Sequence, residues 1–157
     1  MTKNKLRVGI GFDLHNLVKV KKDLILGGVK IPSIYGLKAI SDGDVVLHAV
    51  CDAICGVACL GDIGDYFPPS SKKSKGISSK DIVKAILAKK KIKILNIDIT
   101  VIADKPKLVS YKSAILKSLK NIFKVKAVNV KIKSKEGRDF LGSKNAISCV
   151  ALVLGQL

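Results

Sequence analysis

A chain of 157 residues of which 48% are hydrophobic can bury a core of its own and is too apolar to be disordered, so one domain over residues 1–157 is expected. Aromatic residues make up only 4% and tryptophan is absent, which predicts an aliphatic core; no uncharged apolar stretch reaches the ~18 residues of a membrane span, so no membrane partner and a cytoplasmic location are expected. The formal charge of +17 comes almost wholly from scattered lysines, with only Arg7 and Arg138 for bidentate recognition and few rings for base stacking, which reads as a solvated basic surface with no nucleic-acid partner.

The segment before Val8 is too short and polar for a signal peptide. Residues 7–14 alternate, with Val8, Ile10, Phe12 and Leu14 on one side and Gly9, Gly11 and Asp13 on the other. This predicts a strand with one apolar face, and continuing the alternation brings His15 to the side of Asp13. Residues 24–31, with Gly27-Gly28 inside, read as a short strand pair or a bulged strand, and 32–40 as a loop.

Ser41-Asp42-Gly43-Asp44 offers N-cap chemistry ahead of an apolar run over 45–60 that stops at Gly61, the most buried helix expected. Within it Cys51, Cys55 and Cys59 recur every fourth residue, and Cys149 falls in another apolar run; such a stripe suits small core side chains better than a tetrahedral metal cage. Residues 62–78 have turn composition, and their Ser/Lys tract reads as a mobile surface loop.

Ser79-Lys80-Asp81 opens a second helix to about Lys91, and alternation over 95–103 predicts a strand broken by Asp104-Lys105-Pro106-Lys107. A third helix over 110–123 and a strand over 128–132 follow, then a loop over 136–145. Residues 146–154 are apolar on both faces, which predicts a central strand covered on both sides. The order of elements suits an α+β sandwich, a mixed sheet with helices packed on one face.

The chain has two histidines, one in Asp13-Leu14-His15 and the other, His48, within an apolar helix. A lone histidine there is commonly a satisfied core residue. Asp44 and Asp52 lie four residues to either side and can each share its helix face, so either can accept its second ring N–H, or Asp44 can simply cap the helix. Asp-X-His on a strand with a helical His supplies the N/N/O set of a catalytic zinc with an open fourth position. Five of the twelve acidic residues, Asp42, Asp44, Asp52, Asp62 and Asp65, fall within one short stretch, which points to a second, harder cation such as magnesium, while Asp62-Ile63-Gly64-Asp65 reads equally as a plain turn.

Taken together, Gly11-Phe12-Asp13-Leu14-His15, Leu26-Gly27-Gly28-Val29-Lys30-Ile31-Pro32, Ser41-Asp42-Gly43-Asp44-Val45-Val46-Leu47-His48-Ala49 and Leu60-Gly61-Asp62-Ile63-Gly64 resemble the ordered motifs of the 2-C-methyl-D-erythritol 2,4-cyclodiphosphate synthase family. The resemblance implies a homotrimer with active sites between subunits and zinc held by Asp13, His15 and His48. It further implies a second divalent ion, magnesium or manganese, near Glu136. The implied substrate is a small molecule carrying a cytidine diphosphate and a second phosphate, which attacks the β-phosphorus and releases CMP.

By position, the resemblance sets Asp13, His15, Ser41, Asp62 and Gly64 against the methylerythritol phosphate, with Phe67 in a flexible loop over it. It places Ala103, Lys107, Leu108 and Val109 in the cytidine pocket, Phe140 at a further substrate contact, and Ser134 on a threonine position that steadies the phosphates during transfer. Three positions depart from the family pattern: Ile40 replaces a histidine, Lys133 a threonine and Ser143 an arginine.

Overall fold

The computed structural model describes residues 5–20, 22–139 and 145–157. Strand β1 (Leu6–Lys19) is followed by β2 (Leu24–Leu26), β3 (Val29–Ile31), β4 (Tyr35–Leu37), α1 (Val45–Ala58), α2 (Ser79–Lys89), β5 (Lys93–Ile102), α3 (Lys112–Phe123), β6 (Val128–Lys133) and β7 (Ala146–Gln156). Five strands form one sheet in the order β4-β1-β7-β5-β6, while β2 and β3 make a separate hairpin. Among the described residues only β5 and β6 run parallel, so the sheet is mixed, as expected, and β7 is its central strand.

Helix α1 packs across β1 and β7, and two glycines permit the contact. A Cβ on Gly9 or Gly11 would strike the carbonyl oxygens of Ala53 and Ala49, so the helix backbone rests directly on the strand. The small-residue face of β1 is therefore the inner one, and its apolar face points outward. Val8 is 60%, Ile10 69% and Phe12 45% exposed, and Leu152, opposite Ile10 on β7, is 42% exposed. Cys149, Ala151 and Val153 bury the other face of β7, so the expected two-sided cover is met over residues 146–149, where Ala146 and Ser148 are buried as well, and on one side only from Val150 onward.

Two further expectations are corrected. Residues 32–40 contain β4, which pairs with the end of β1 from Leu17↔Leu37 to Lys19↔Tyr35. Three residues are too few to show an alternation. The Ser/Lys tract is pinned: Ser74 is buried and donates to the Pro68 carbonyl at 2.8 Å, Gly76 N–H donates to Ile40 O at 2.8 Å, and Asp42 N–H to Ile77 O at 3.1 Å.

The start of α1 is fixed by Asp44, whose buried carboxylate accepts the N–H groups of Val46 and Leu47, both at 3.1 Å, and those of Gly27 and Gly28 at 2.8 and 2.6 Å. Gly27 and Gly28 have φ of +59° and +74°, the two-residue turn that needs positive φ at both positions. One carboxylate thus caps the helix and locks the hairpin onto it. Burial pushes its pKa up to about 6, against the pull of the N–H groups of Gly28, Leu47 and Gly27.

The core is aliphatic. Ile115, Leu119 and Phe123 of α3 are buried, as are Ile82, Val83 and Ile86 of α2 and Ile97, Ile99 and Val101 of β5. Each such side chain contributes roughly 1.5–3 kcal/mol of transfer free energy. Cys51, Cys55 and Cys149 are buried free thiols, Cys59 is an exposed one, and burial raises the Cys55 thiol to about 11. None of them joins a metal-binding group among the described residues. No described helix is long and apolar enough to cross a membrane.

Candidate active site

Along β1, Gly9 lies against Ala53 and Gly11 against Ala49. Two strand residues advance about as far as one helical turn, so Asp13, the next inward residue, arrives at the first turn of α1, where His48 sits. His48 Nδ1 is 2.9 Å from Asp13 Oδ2, and His15 Nε2 is 3.1 Å from the same oxygen. The rings of His15 and His48 meet edge to face with centroids 5.8 Å apart. The strand periodicity and the glycine-lined approach thus gather all three expected ligands, whose donor atoms lie within 4.8 Å of one another.

The arrangement fits a divalent cation. Zinc bonds of ~2.0–2.1 Å in a tetrahedron place ligand atoms about 3.3 Å apart, close to the two separations from Asp13. His15 Nε2 is buried beside Asp13 Oδ2 without a hydrogen-bond partner, an orphaned polar atom that a cation held by the group would satisfy. Burial pushes the Asp13 carboxyl up, but the two imidazoles beside it outweigh that and hold the group well below the usual carboxylate range. Burial opposes charge on His48, and Asp13 outweighs that too, raising the imidazole above its ordinary value.

The partner of the second His48 nitrogen is one that sequence reasoning missed. Asp44 is spent on the cap and hairpin, and Asp52 accepts Ile63 N–H at 2.9 Å. Nε2 instead lies 2.9 Å from Ser79 Oγ, with Ser41 Oγ at 3.4 Å. Ser79 in turn bonds Asp42 through both its hydroxyl and its N–H. Ser79 is the first residue of α2, 31 positions from His48, and no local spacing announces the pair.

The clustered carboxylates do not form a second cation site among the described residues. Asp42 holds Ser79, Asp44 caps α1, Asp52 holds Ile63, and Asp62 and Asp65 cap the turn Ile63–Asp65 reciprocally. The plain turn expected for Asp62 to Asp65 and the cap expected for Asp44 are both met.

The triad opens into a cavity of about 380 Å³ lined by Asp13, His15, Ser41, His48, Gly64 and Phe67, all expected site residues. Asp62 stands beside it with its carboxylate turned to the N–H groups of Gly64 and Asp65, at 2.7 and 3.3 Å. Ile40 reaches the same cavity, as does Lys38.

The remaining expected residues that are described do not line this cavity. Ala103 and Leu108 are buried, whereas Lys107, Val109, Ser134 and Glu136 are exposed. Ala103 N–H donates to Lys133 O at 2.9 Å and Lys135 N–H to Asp104 Oδ1 at 2.7 Å, which ties the two loops together beyond the parallel ends of β5 and β6. Glu136 and Gly137 both have positive φ, 51° and 71°, so a non-glycine residue holds a left-handed backbone at the turn that presents its carboxylate. Phe140 and Ser143 lie outside the described residues.

Residues 6–156 match the profile described as the YgbB family. The chain is 47% identical over 154 residues to the 2-C-methyl-D-erythritol 2,4-cyclodiphosphate synthase of Clostridium acetobutylicum, covering 95% of this chain and 99% of that one. Among solved structures it resembles a Plasmodium falciparum IspF in complex with CDP, with a TM-score of 0.81, 32% identity and coverage of 98% and 97%. It also resembles the bifunctional IspDF of Campylobacter jejuni, with a TM-score of 0.88 and 34% identity, where it spans 98% of its own length and 43% of that chain.

Proposed function

The chain belongs to the YgbB family, and from that premise we propose a metal-dependent intramolecular phosphoryl transfer. In it, 4-diphosphocytidyl-2-C-methyl-D-erythritol 2-phosphate becomes 2-C-methyl-D-erythritol 2,4-cyclodiphosphate with release of CMP, in the non-mevalonate isoprenoid pathway. The observation that carries this reading is the convergence of Asp13, His15 and His48 on one point at the wall of a cavity sized for a small phosphorylated ligand.

The chemistry asks little of general bases. The attacking phosphate, with a second pKa of about 6, is largely anionic at neutral pH, and CMP leaves as a stabilised anion. What remains is to hold two anions in line and neutralise charge at the β-phosphorus. Asp13, His15 and His48 would hold zinc, and Glu136 a magnesium or manganese ion; when bound, such cations polarise phosphoryl oxygens as Lewis acids. Ser41 and Gly64 would contact the methylerythritol phosphate beside Asp62, with Phe67 over it. Ala103, Lys107, Leu108, Val109 and Phe140 would receive the cytidine diphosphate, and the Ser134 hydroxyl would steady its phosphates. Ile40 brings no donor to the cavity, so Lys38, a cation at the same wall, is the side chain there that can offset substrate charge.

We place the complete site between subunits of a homotrimer. Asp13 and Val101 both pair with Cys149, so within one chain the metal ligands and the strand leading to the cytidine loop are two strand spacings apart, about 10 Å. The outward apolar face of β1 and β7, with Val8, Ile10, Phe12 and Leu152, is the kind of surface that a closed assembly covers.

Co-refolding His48→Ala with Ser134→Ala chains tests this arrangement. Each variant alone is inactive or nearly so. If each site draws His48 from one subunit and Ser134 from its neighbour, a 1:1 mixture recovers roughly one quarter of wild-type activity. A site built within one chain would recover none, and that result would refute the intersubunit reading.

A further inference from the structure

We propose that Ser79, backed by Asp42, is the positioning residue that sets the tautomer of His48 and so aims its Nδ1 lone pair at the metal. The inference rests on the metal-site reading above.

A serine hydroxyl has a single proton to donate. That of Ser79 goes to Asp42 Oδ1 in a short hydrogen bond, while Asp42 Oδ2 accepts the Ser79 backbone N–H at 2.8 Å. An ionised carboxylate offers no proton in return. With its proton committed, Ser79 Oγ can only accept from His48 Nε2, which lies 2.9 Å away. A neutral imidazole carries one N–H, so placing it on Nε2 leaves Nδ1 with its electron pair free. Nδ1 is the atom that faces Asp13 Oδ2, at 2.9 Å, and the ligand group. Donation therefore runs one way, from His48 through Ser79 to Asp42.

Ser79 does not cap its own helix. The cap of α2 is made by Ser78, whose hydroxyl accepts Lys80 N–H at 3.2 Å, and Ser79 is fully buried. The nearest alternative acceptor, Ser41 Oγ, stands at 3.4 Å from Nε2 and already receives Gly43 N–H at 3.1 Å. The chain also links elements that the ligands alone do not: Asp13 and His15 lie on β1, His48 on α1, and Ser79 on α2.

Two readouts on the full-length protein test the inference. The first is zinc affinity by competition with a chromophoric chelator, for wild type, Ser79→Ala and Ser79→Thr. Loss of a hydrogen bond that orients a metal-bound histidine typically weakens metal binding by about 10–100-fold, so Ser79→Ala should bind zinc that much less tightly and Ser79→Thr should recover most of the loss. The second is the imidazole nitrogen NMR spectrum of the zinc-loaded protein, where a metal on Nδ1 leaves the ring proton on Nε2. Wild type should show the His48 Nε2–H shifted downfield and protected from exchange by its bond to Ser79 Oγ, and Ser79→Ala should lose both. An unchanged Nε2–H resonance in Ser79→Ala, or zinc affinity within about twofold of wild type, overturns the inference. Failure of wild type to bind zinc would instead count against the metal-site reading.

Discussion

His48→Ala is expected to empty the metal centre and to lower kcat/KM for CMP release by at least about a thousandfold while leaving the fold intact. The triad has two weakly exposed members and one buried member, His48, which meets both the Asp13 carboxylate and the Ser79 hydroxyl. Two ligands, Asp13 and His15, both from β1, hold a cation far less tightly than three from two elements. Helix α1 keeps its Asp44 cap and the rest of its buried face, so circular dichroism and the urea midpoint should move little beside the loss of activity. Zinc per chain and turnover, measured on the same preparation, check the prediction; near wild-type turnover with zinc absent would remove His48 from the mechanism.

Gly11→Val is expected to prevent folding. A Cβ there would collide with the carbonyl oxygen of Ala49 and lie 2.7 Å from the amide nitrogen of Ala53, both backbone atoms of α1. Neither can turn aside as a side chain could, so the helix must lift off β1, and with it His48 would leave Asp13. A cost beyond about 4–5 kcal/mol consumes much of the 5–15 kcal/mol that typically holds a domain together. Gly76→Ala is the matched control: nothing lies within 4 Å of its added Cβ, and only the φ of +73° resists, at a cost of about 1 kcal/mol. Soluble yield and thermal unfolding distinguish the two. A Gly11→Val protein that melts within a few degrees of wild type would contradict the direct seating of α1 on β1.

The cluster of Asp13, His15 and His48 was legible in the sequence because it depends on two short-range regularities, the strand alternation that aligns Asp13 with His15 and the long apolar helix that contains His48. The longer strands and the helices were legible for the same reason, whereas the three residues of β4 were not. Which face of β1 turns inward was not, because hydrophobicity marks the face that avoids water and cannot say whether a helix or another molecule does the covering. Val8, Ile10 and Phe12 are the outer face and Gly9 and Gly11 the inner one because close helix approach outweighed side-chain burial at that contact.

Asp44 and Asp52 had the right spacing to support His48, yet spacing reports only proximity on a helix. Four backbone N–H groups compete for Asp44, and the start of the turn Ile63–Asp65 competes for Asp52. Ser79 went unnoticed since its approach to His48 comes from the packing of α2 on α1, a tertiary event with no local signature. Ala103, Lys107, Ser134 and Glu136 owe their assignment to family resemblance alone: as a sequence they lie in charged turns.

The most direct test of the central claim is turnover of 4-diphosphocytidyl-2-C-methyl-D-erythritol 2-phosphate by the purified protein, followed by phosphorus NMR and CMP release after metal removal and after return of zinc and magnesium. The metal-free protein should be inert, and the metals should restore conversion to the cyclic diphosphate and CMP in equal amounts. A folded, zinc-loaded protein that releases no CMP, or one that cyclises the substrate equally well without any divalent ion, would contradict it.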